Sequence, residues 1–219
     1  MITAKIGSVM GKVKEAIVNA LAARGFHPNF LTFLGLVVNC VAGVCFGYGY
    51  FRTAGVVTFL AGAFDMIDGA VARKMGRETK FGAFFDSVID RYSDMALPIG
   101  IAYYYASVHE LGYVVLAALV IVGSIMVSYT RARAENLIPN CKVGFWERPE
   151  RIVLLIIGAL FGRMKMVLWI LAVVTQLTVF HRIYFTWKET TKESSPVLVP
   201  DSEEKIKDDA GISRGSGGV

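Results

Sequence analysis

Residues 65–90 read DMIDGAVARKMGRETKFGAFFDSVID, with VVTFLAGAF directly before them and DMALPIGIAYYY shortly after. Four aspartates, Asp65, Asp68, Asp86 and Asp90, stand in otherwise apolar surroundings. Asp65 and Asp68 are three apart and Asp86 and Asp90 four apart, so each pair shares one helix face. Carboxylates at membrane depth are costly and face a wet, functional cavity by default. Two such pairs on adjacent helices would present hard oxygen ligands to divalent cations. The alternative is a structural ion-pair network in which Arg73, Arg91 and Lys80 neutralise the acids. Four regularly spaced acids exceed that need, and Gly69, Ala72 and Gly82 leave room for a ligand's backbone or base. Asp90 ends the series, where a carboxylate beside metal can accept a proton from an alcohol.

Working outward, the whole chain has 219 residues, 54% of them hydrophobic, and a mean hydropathy of +0.51. That composition belongs to a membrane protein, at a length suited to one domain. The net charge of +5 is small, and no nucleic-acid partner is expected. Cys40, Cys45 and Cys141 lack metal-type spacing, so neither a disulfide scaffold nor a zinc site is expected. His27, His109 and His181 read as interfacial or packing residues. The first 25 residues lack the continuous apolar core of a cleavable signal peptide.

The periodicity predicts an all-α integral membrane fold. Residues 2–24 read as an amphipathic helix lying on the membrane surface, with Ile6, Val9, Met10, Val13, Ile17 and Leu21 on one face and Lys5, Lys12 and Lys14 elsewhere. Packing of this helix against the end of the bundle is the alternative. The first domain segment is therefore 1–25, followed by a membrane domain over 26–189. Six transmembrane helices are expected near 30–50, 53–74, 82–105, 112–134, 150–163 and 166–187, the fifth being short. With a cytosolic amino terminus, Lys and Arg concentrate on the cytosolic side, before residue 25, between 73 and 80, between 131 and 151, and from 182 to 192. Only Arg52, Arg163 and Lys165 fall outside, an asymmetry that places the aspartates' ends of the second and third spans at the cytosol. Residues 190–219 are polar, with Pro, Ser, Gly and mixed charge, and are expected to be disordered.

A second cluster lies in the cytosolic connection and its flanks. SYTRARAE ends the fourth span, ERPER opens the fifth, and Arg182 sits inside the sixth in VFHRIYFTW. Arg133, Arg148 and Lys142 read as positive-inside anchors. Arg182 falls within the apolar zone, and guanidinium groups clamp phosphate bidentately. Together with Arg131 and Arg151 it would suit a second substrate that carries a phosphate.

The stretch matches D-x2-D-G-x2-A-R-x8-G-x3-D-x3-D from Asp65 to Asp90 without a mismatch. It resembles the signature of the CDP-alcohol phosphotransferases, integral membrane enzymes of phospholipid synthesis. SYTRARAE, ERPER and the late arginine narrow the resemblance, over residues 26–188, to the phosphatidylinositol-phosphate synthases of actinobacteria and related archaeal enzymes. The resemblance implies that Asp65, Asp68, Asp86 and Asp90 bind two Mg²⁺ ions, with Mn²⁺ as a substitute, and that Asp90 is also the catalytic base. It implies that Asn29, Thr32, Gly69, Ala72, Arg73 and Thr79 contact a CDP-lipid such as CDP-diacylglycerol. It further implies that Arg131, where lysine is expected, and Arg151 and Arg182 bind the phosphate of inositol 1-phosphate. A homodimer in the cell membrane, with its site facing the cytosol, completes the expectation.

Other readings stay open at this point. Glycerol 3-phosphate as acceptor would make the product phosphatidylglycerophosphate. A membrane-embedded prenyltransferase also uses paired aspartates with Mg²⁺, although those chains are longer and their motifs lie on more widely separated helices. A cation transporter would explain intramembrane acids without needing Gly69, Ala72 and Arg73, and would show coupled flux but no CMP release.

Overall fold

The computed structural model describes residues 15–20, 23, 27–76, 78–138, 141, 143–144 and 146–193. Among them there are no strands, and six helices follow His27: α1 (Pro28–Gly47), α2 (Phe51–Lys74), α3 (Lys80–Ser107), α4 (Leu111–Ala134), α5 (Arg148–Leu160) and α6 (Met164–Glu193). Residues 15–20 are also helical. The rest of the amphipathic segment expected over 1–25, and the tail beyond Glu193, lie outside the described residues.

Local chemistry sets the helix starts. His27 is extended (φ −74°, ψ 129°) and hands over to Pro28 in the first turn of α1, where the missing N–H costs nothing. The Thr79 hydroxyl caps α3 by accepting from the Gly82 amide at 2.9 Å, satisfying one of the orphan donors of a helix start. Pro149 and Glu150 occupy the first turn of α5, a fixed backbone angle and a negative charge that both favour an N-terminus.

Four helices, α1, α2, α4 and α6, are long and apolar enough to cross a membrane. The expectation of six spans is met at this coarser level only. In α3 the first half carries Lys80, Asp86, Asp90, Arg91 and Asp94, which spoils its apolar character. α5 has 13 residues, or about 20 Å of helix against the ~30 Å of a hydrocarbon core. It was expected to reach 163 but stops at Leu160, where the turn through Gly162 takes φ +67°, a conformation that ends helices.

Helix α1 packs on α2 and α3, α4 on α3 and α6, and α5 on α2 and α6. The apolar core gathers Phe46, Leu97, Ile101, Leu168 and Leu171, all fully or almost fully buried. It reaches as far as Asp94 and Arg151, which lie beside Val120, Leu155 and Leu171. The backbones of α1 and α3 come close where Gly43 and Gly100 meet. A Cβ on Gly100 would overlap the Gly43 carbonyl oxygen, whereas one on Gly62 would meet nothing within 4 Å. Gly100→Ala should therefore push backbone against backbone and destabilise by about 1–3 kcal/mol or more. Gly62→Ala should be neutral or gain up to ~1 kcal/mol from helix propensity. Thermal unfolding in detergent separates the two, and equal behaviour would contradict the crossing.

Candidate active site

The amino end of α1, the carboxyl half of α2 and the first turns of α3 enclose a cavity of about 490 Å³. Its wall includes Asn29 and Thr32 from α1, Asp65, Asp68, Gly69, Ala72 and Arg73 from α2, and Thr79, Gly82 and Asp86 at the start of α3. Thus the six residues expected at the CDP-lipid and three of the four aspartates share one space. The helical spacing does this directly, because Asp65, Asp68, Gly69, Ala72 and Arg73 fall on one face over two turns.

Asp68 is buried, and its carboxylate is held in place. One oxygen accepts from the Thr32 hydroxyl at 2.7 Å and the other from the Gly69 amide. Thr32 also faces the Pro28 carbonyl at 3.2 Å, so α1 and α2 are tied through this pair. Gly35 leaves room for Asp65: a Cβ there would stand 3.2 Å from Asp65 Oδ1. A side chain added at Gly69 would come up against the Arg73 guanidinium, and one at Gly82 would stand 3.4 Å from Asn29 Oδ1. The small residues therefore keep polar side chains clear of the backbone.

Asp90 lies off the cavity wall, one turn beyond Asp86. Arg148, at the start of α5, reaches it. Its Nη1 donates to Asp65 Oδ2 at 3.0 Å and lies 2.9 Å from Asp90 Oδ1, and its Nε donates to Asp94 Oδ1 at 2.9 Å. Three carboxylates thus surround one guanidinium, and their negative charge offsets the cost of holding it away from water. The anchor reading of Arg148 is thus corrected: it joins α5 to the acids of α2 and α3. Asp94 was also missed. It continues the four-residue spacing of Asp86 and Asp90, a signal that was present in the sequence.

Among the described residues, no three acidic, histidine or cysteine side chains converge on one point as ligands of an ion. Arg148 Nη1 instead holds one oxygen each of Asp65 and Asp90. The donor set still suits hard divalent cations, since it is all carboxylate oxygen and borders a cavity with room for phosphates.

The three arginines expected at the acceptor differ from one another. Arg151 is buried, donates to Asp94 Oδ2 at 3.3 Å, and keeps Nε and Nη1 buried without a hydrogen-bond partner. Arg182 is buried as well, donating from Nε to the Val143 carbonyl at 2.8 Å and from Nη1 to the Val127 carbonyl. This is the polar partnering that an arginine inside a span requires. Arg131 is exposed and pairs with Glu135 at 3.0 Å and more loosely with Glu147 at 3.9 Å. Arg182 lies within electrostatic reach of both Arg131 and Arg151.

Known proteins resemble this chain over most of its length. Residues 26–184 match the family described as CDP-alcohol phosphatidyltransferase. The chain is 36% identical over 186 residues to the archaetidylinositol phosphate synthase of Pyrococcus horikoshii, covering 82% of this chain and 95% of that one. It superposes on Mycobacterium tuberculosis phosphatidylinositol phosphate synthase with CDP-DAG bound at a TM-score of 0.76 and 30% identity, over 80% of this chain and 94% of that one. The same mycobacterial enzyme in complex with manganese and citrate gives 0.74 and 31%, over 80% and 88%. A match of this extent to the family, together with the apolar helices, makes this a multi-pass membrane protein, and the chain belongs to the CDP-alcohol phosphatidyltransferase family.

Proposed function

We propose that the protein transfers the phosphatidyl, or a related diradylglycerol-phosphate, group of a CDP-lipid to a hydroxyl of inositol 1-phosphate, releasing CMP and forming phosphatidylinositol phosphate. The observation that carries this is the shared cavity, where Asn29, Thr32, Gly69, Ala72, Arg73 and Thr79 meet Asp65, Asp68 and Asp86. The relatives named for inositol phosphate products support the acceptor.

In this reading Asn29, Thr32, Gly69, Ala72, Arg73 and Thr79 receive the cytidine diphosphate end of the lipid. Asp65, Asp68, Asp86 and Asp90 hold two Mg²⁺ or Mn²⁺ ions, a choice supported by the manganese complex of the mycobacterial relative. Bound metal supplies positive charge that neutralises the diphosphate. Asp90 takes the proton of the acceptor hydroxyl. The resulting oxygen attacks the phosphorus that bears the lipid, and the bond from that phosphorus to CMP breaks. No protein nucleophile is needed.

The acceptor phosphate falls to Arg151, Arg182 and Arg131. Arg151 has the strongest claim, because two of its buried donors have no protein partner and a buried donor left unpaired is costly. The lysines and arginines at the carboxyl ends of α2 and α4 (Arg73, Lys74, Arg131 and Arg133) support an orientation with this site at the cytosol. Six spans, a homodimer and the cell membrane complete the proposal.

The test is CMP release from CDP-diacylglycerol with inositol 1-phosphate, glycerol 3-phosphate and free inositol offered in turn. Inositol 1-phosphate should be turned over with the highest kcat/KM. Preference for glycerol 3-phosphate would make the protein a phosphatidylglycerophosphate synthase. In the same assay Arg151→Gln should raise the KM for inositol 1-phosphate by about one to two decades, the cost of a lost charge-assisted contact, with the KM for CDP-lipid nearly unchanged. An equal rise for both substrates would reduce Arg151 to a packing role.

A further inference from the structure

The Arg148 guanidinium touches the two ends of the aspartate series at once, and it does so from a different helix. Its Nη1 is 3.0 Å from Asp65 Oδ2 and 2.9 Å from Asp90 Oδ1, while Nε is 2.9 Å from Asp94 Oδ1. Asp94 is the most deeply buried of the three acids, with 8% of its side chain exposed against 25% for Asp65 and 21% for Asp90. It also binds Arg151. One end of the guanidinium is therefore fixed in the protein interior, and the other lies between Asp65, on the cavity wall, and Asp90, just beyond it.

We propose that Arg148 is a positioning residue and a built-in competitor for the divalent cation: its Nη1 occupies oxygens of Asp65 and Asp90 that a metal would take, and Asp94 retains its other end when it yields them. This rests on the metal reading of the aspartates given above. Two like charges repel when both lie against the same pair of oxygens, so the guanidinium and the cation compete there. Competition holds metal affinity below what four carboxylates alone would give. The arginine also offsets the repulsion among acids that face one another across α2 and α3. Asp94, by taking Nε, provides the position from which Nη1 can withdraw without leaving a buried guanidinium unpaired.

The experiment is Mn²⁺ binding to the purified full-length protein in detergent, without CDP-lipid, followed by the electron paramagnetic resonance signal of free Mn²⁺. Arg148→Gln should tighten Mn²⁺ binding by about tenfold or more, since a unit positive charge leaves two ligand oxygens. It should also lower the unfolding temperature without Mn²⁺, and saturating Mn²⁺ should recover most of that loss. Asp94→Asn should weaken Mn²⁺ binding several-fold by leaving Arg148 to lean on Asp65 and Asp90. In the Arg148→Gln background the same change should have little effect, because the interaction it acts through is gone.

If Arg148→Gln is unstable, Arg148→Lys serves, since one ammonium lacks the fork needed to hold Asp94 and both other acids, and binding should tighten by a smaller factor. Unchanged or weaker Mn²⁺ binding in both folded variants overturns the competition. A wild-type protein that binds no Mn²⁺, or binds it undiminished in Asp86→Asn, overturns the metal reading itself and the competition with it. Those two failures are distinguishable.

Discussion

Asparagine at Asp65 or at Asp86 is expected to abolish transfer, with turnover falling by about 10³-fold or more. Each replacement keeps the size of the side chain and removes one negative charge from the wall of the cavity. In the proposed mechanism that charge holds the cation which neutralises the diphosphate, and electrostatic stabilisation of this kind is commonly the largest single catalytic contribution. Asp65→Asn has a second consequence, because Arg148 Nη1 loses one of its two charged partners at the cavity side. CMP release by the purified variants, with raised Mg²⁺ as a control for simple weakening, decides the matter. Near wild-type turnover in either variant would sink the two-metal assignment.

Asp90→Asn is expected to separate binding from chemistry. Asp90 lies beyond the cavity that would receive the CDP-lipid and faces Arg148 instead. The amide can still offer an oxygen but cannot take the acceptor's proton, and general-base catalysis is worth about 10²–10⁴-fold in rate. CDP-lipid binding, measured by calorimetry or nucleotide protection from thermal unfolding, should stay close to wild type while kcat falls by that range. Loss of CDP-lipid binding in this variant would remove the base assignment and leave Asp90 as a structural partner of Arg148.

Much of this site was readable in the chain because its determinants are local. Asp65 through Arg73 need only helical periodicity to share a face, whereas the capping role of Thr79 at the start of α3 emerged from the structure. The apolar runs placed α1, α2 and α4 within three residues of their observed bounds, while α6, expected over 166–187, runs six residues farther, to Glu193. What escaped the reading depends on contacts between distant parts of the sequence. Arg148 is 83 residues from Asp65 and 54 from Asp94. At the end of a span it is indistinguishable, by sequence, from an arginine that merely anchors the helix to the membrane surface. The looser partner of Arg131 and the partners of Arg182 were hidden for the same reason, although Glu135, one turn from Arg131, was in plain view. Glu147 belongs to a connection without periodicity, and the carbonyls of Val127 and Val143 have no side-chain signature. Asp94 is a different case, since its spacing from Asp90 continued a pattern already in view.

The near-contact of Gly43 with Gly100 sets a fulcrum between α1 and α3. The cavity lies on the long arm of both helices from that point, and Thr32 stands eleven residues along α1 from Gly43, about 16 Å at 1.5 Å per residue. Rocking α1 by about 5° over the fulcrum would swing its cavity end through about 1.4 Å, while the backbones at the pivot scarcely move. The leverage comes from having no side chain at the point of rotation: bulk there would lock the two helices as a ratchet tooth locks a wheel. Such a rotation would leave the apolar core around Phe46 and Leu97 packed and would be resisted at the cavity by the Thr32–Asp68 hydrogen bond, so the tie and the fulcrum together set how far that end of α1 can move.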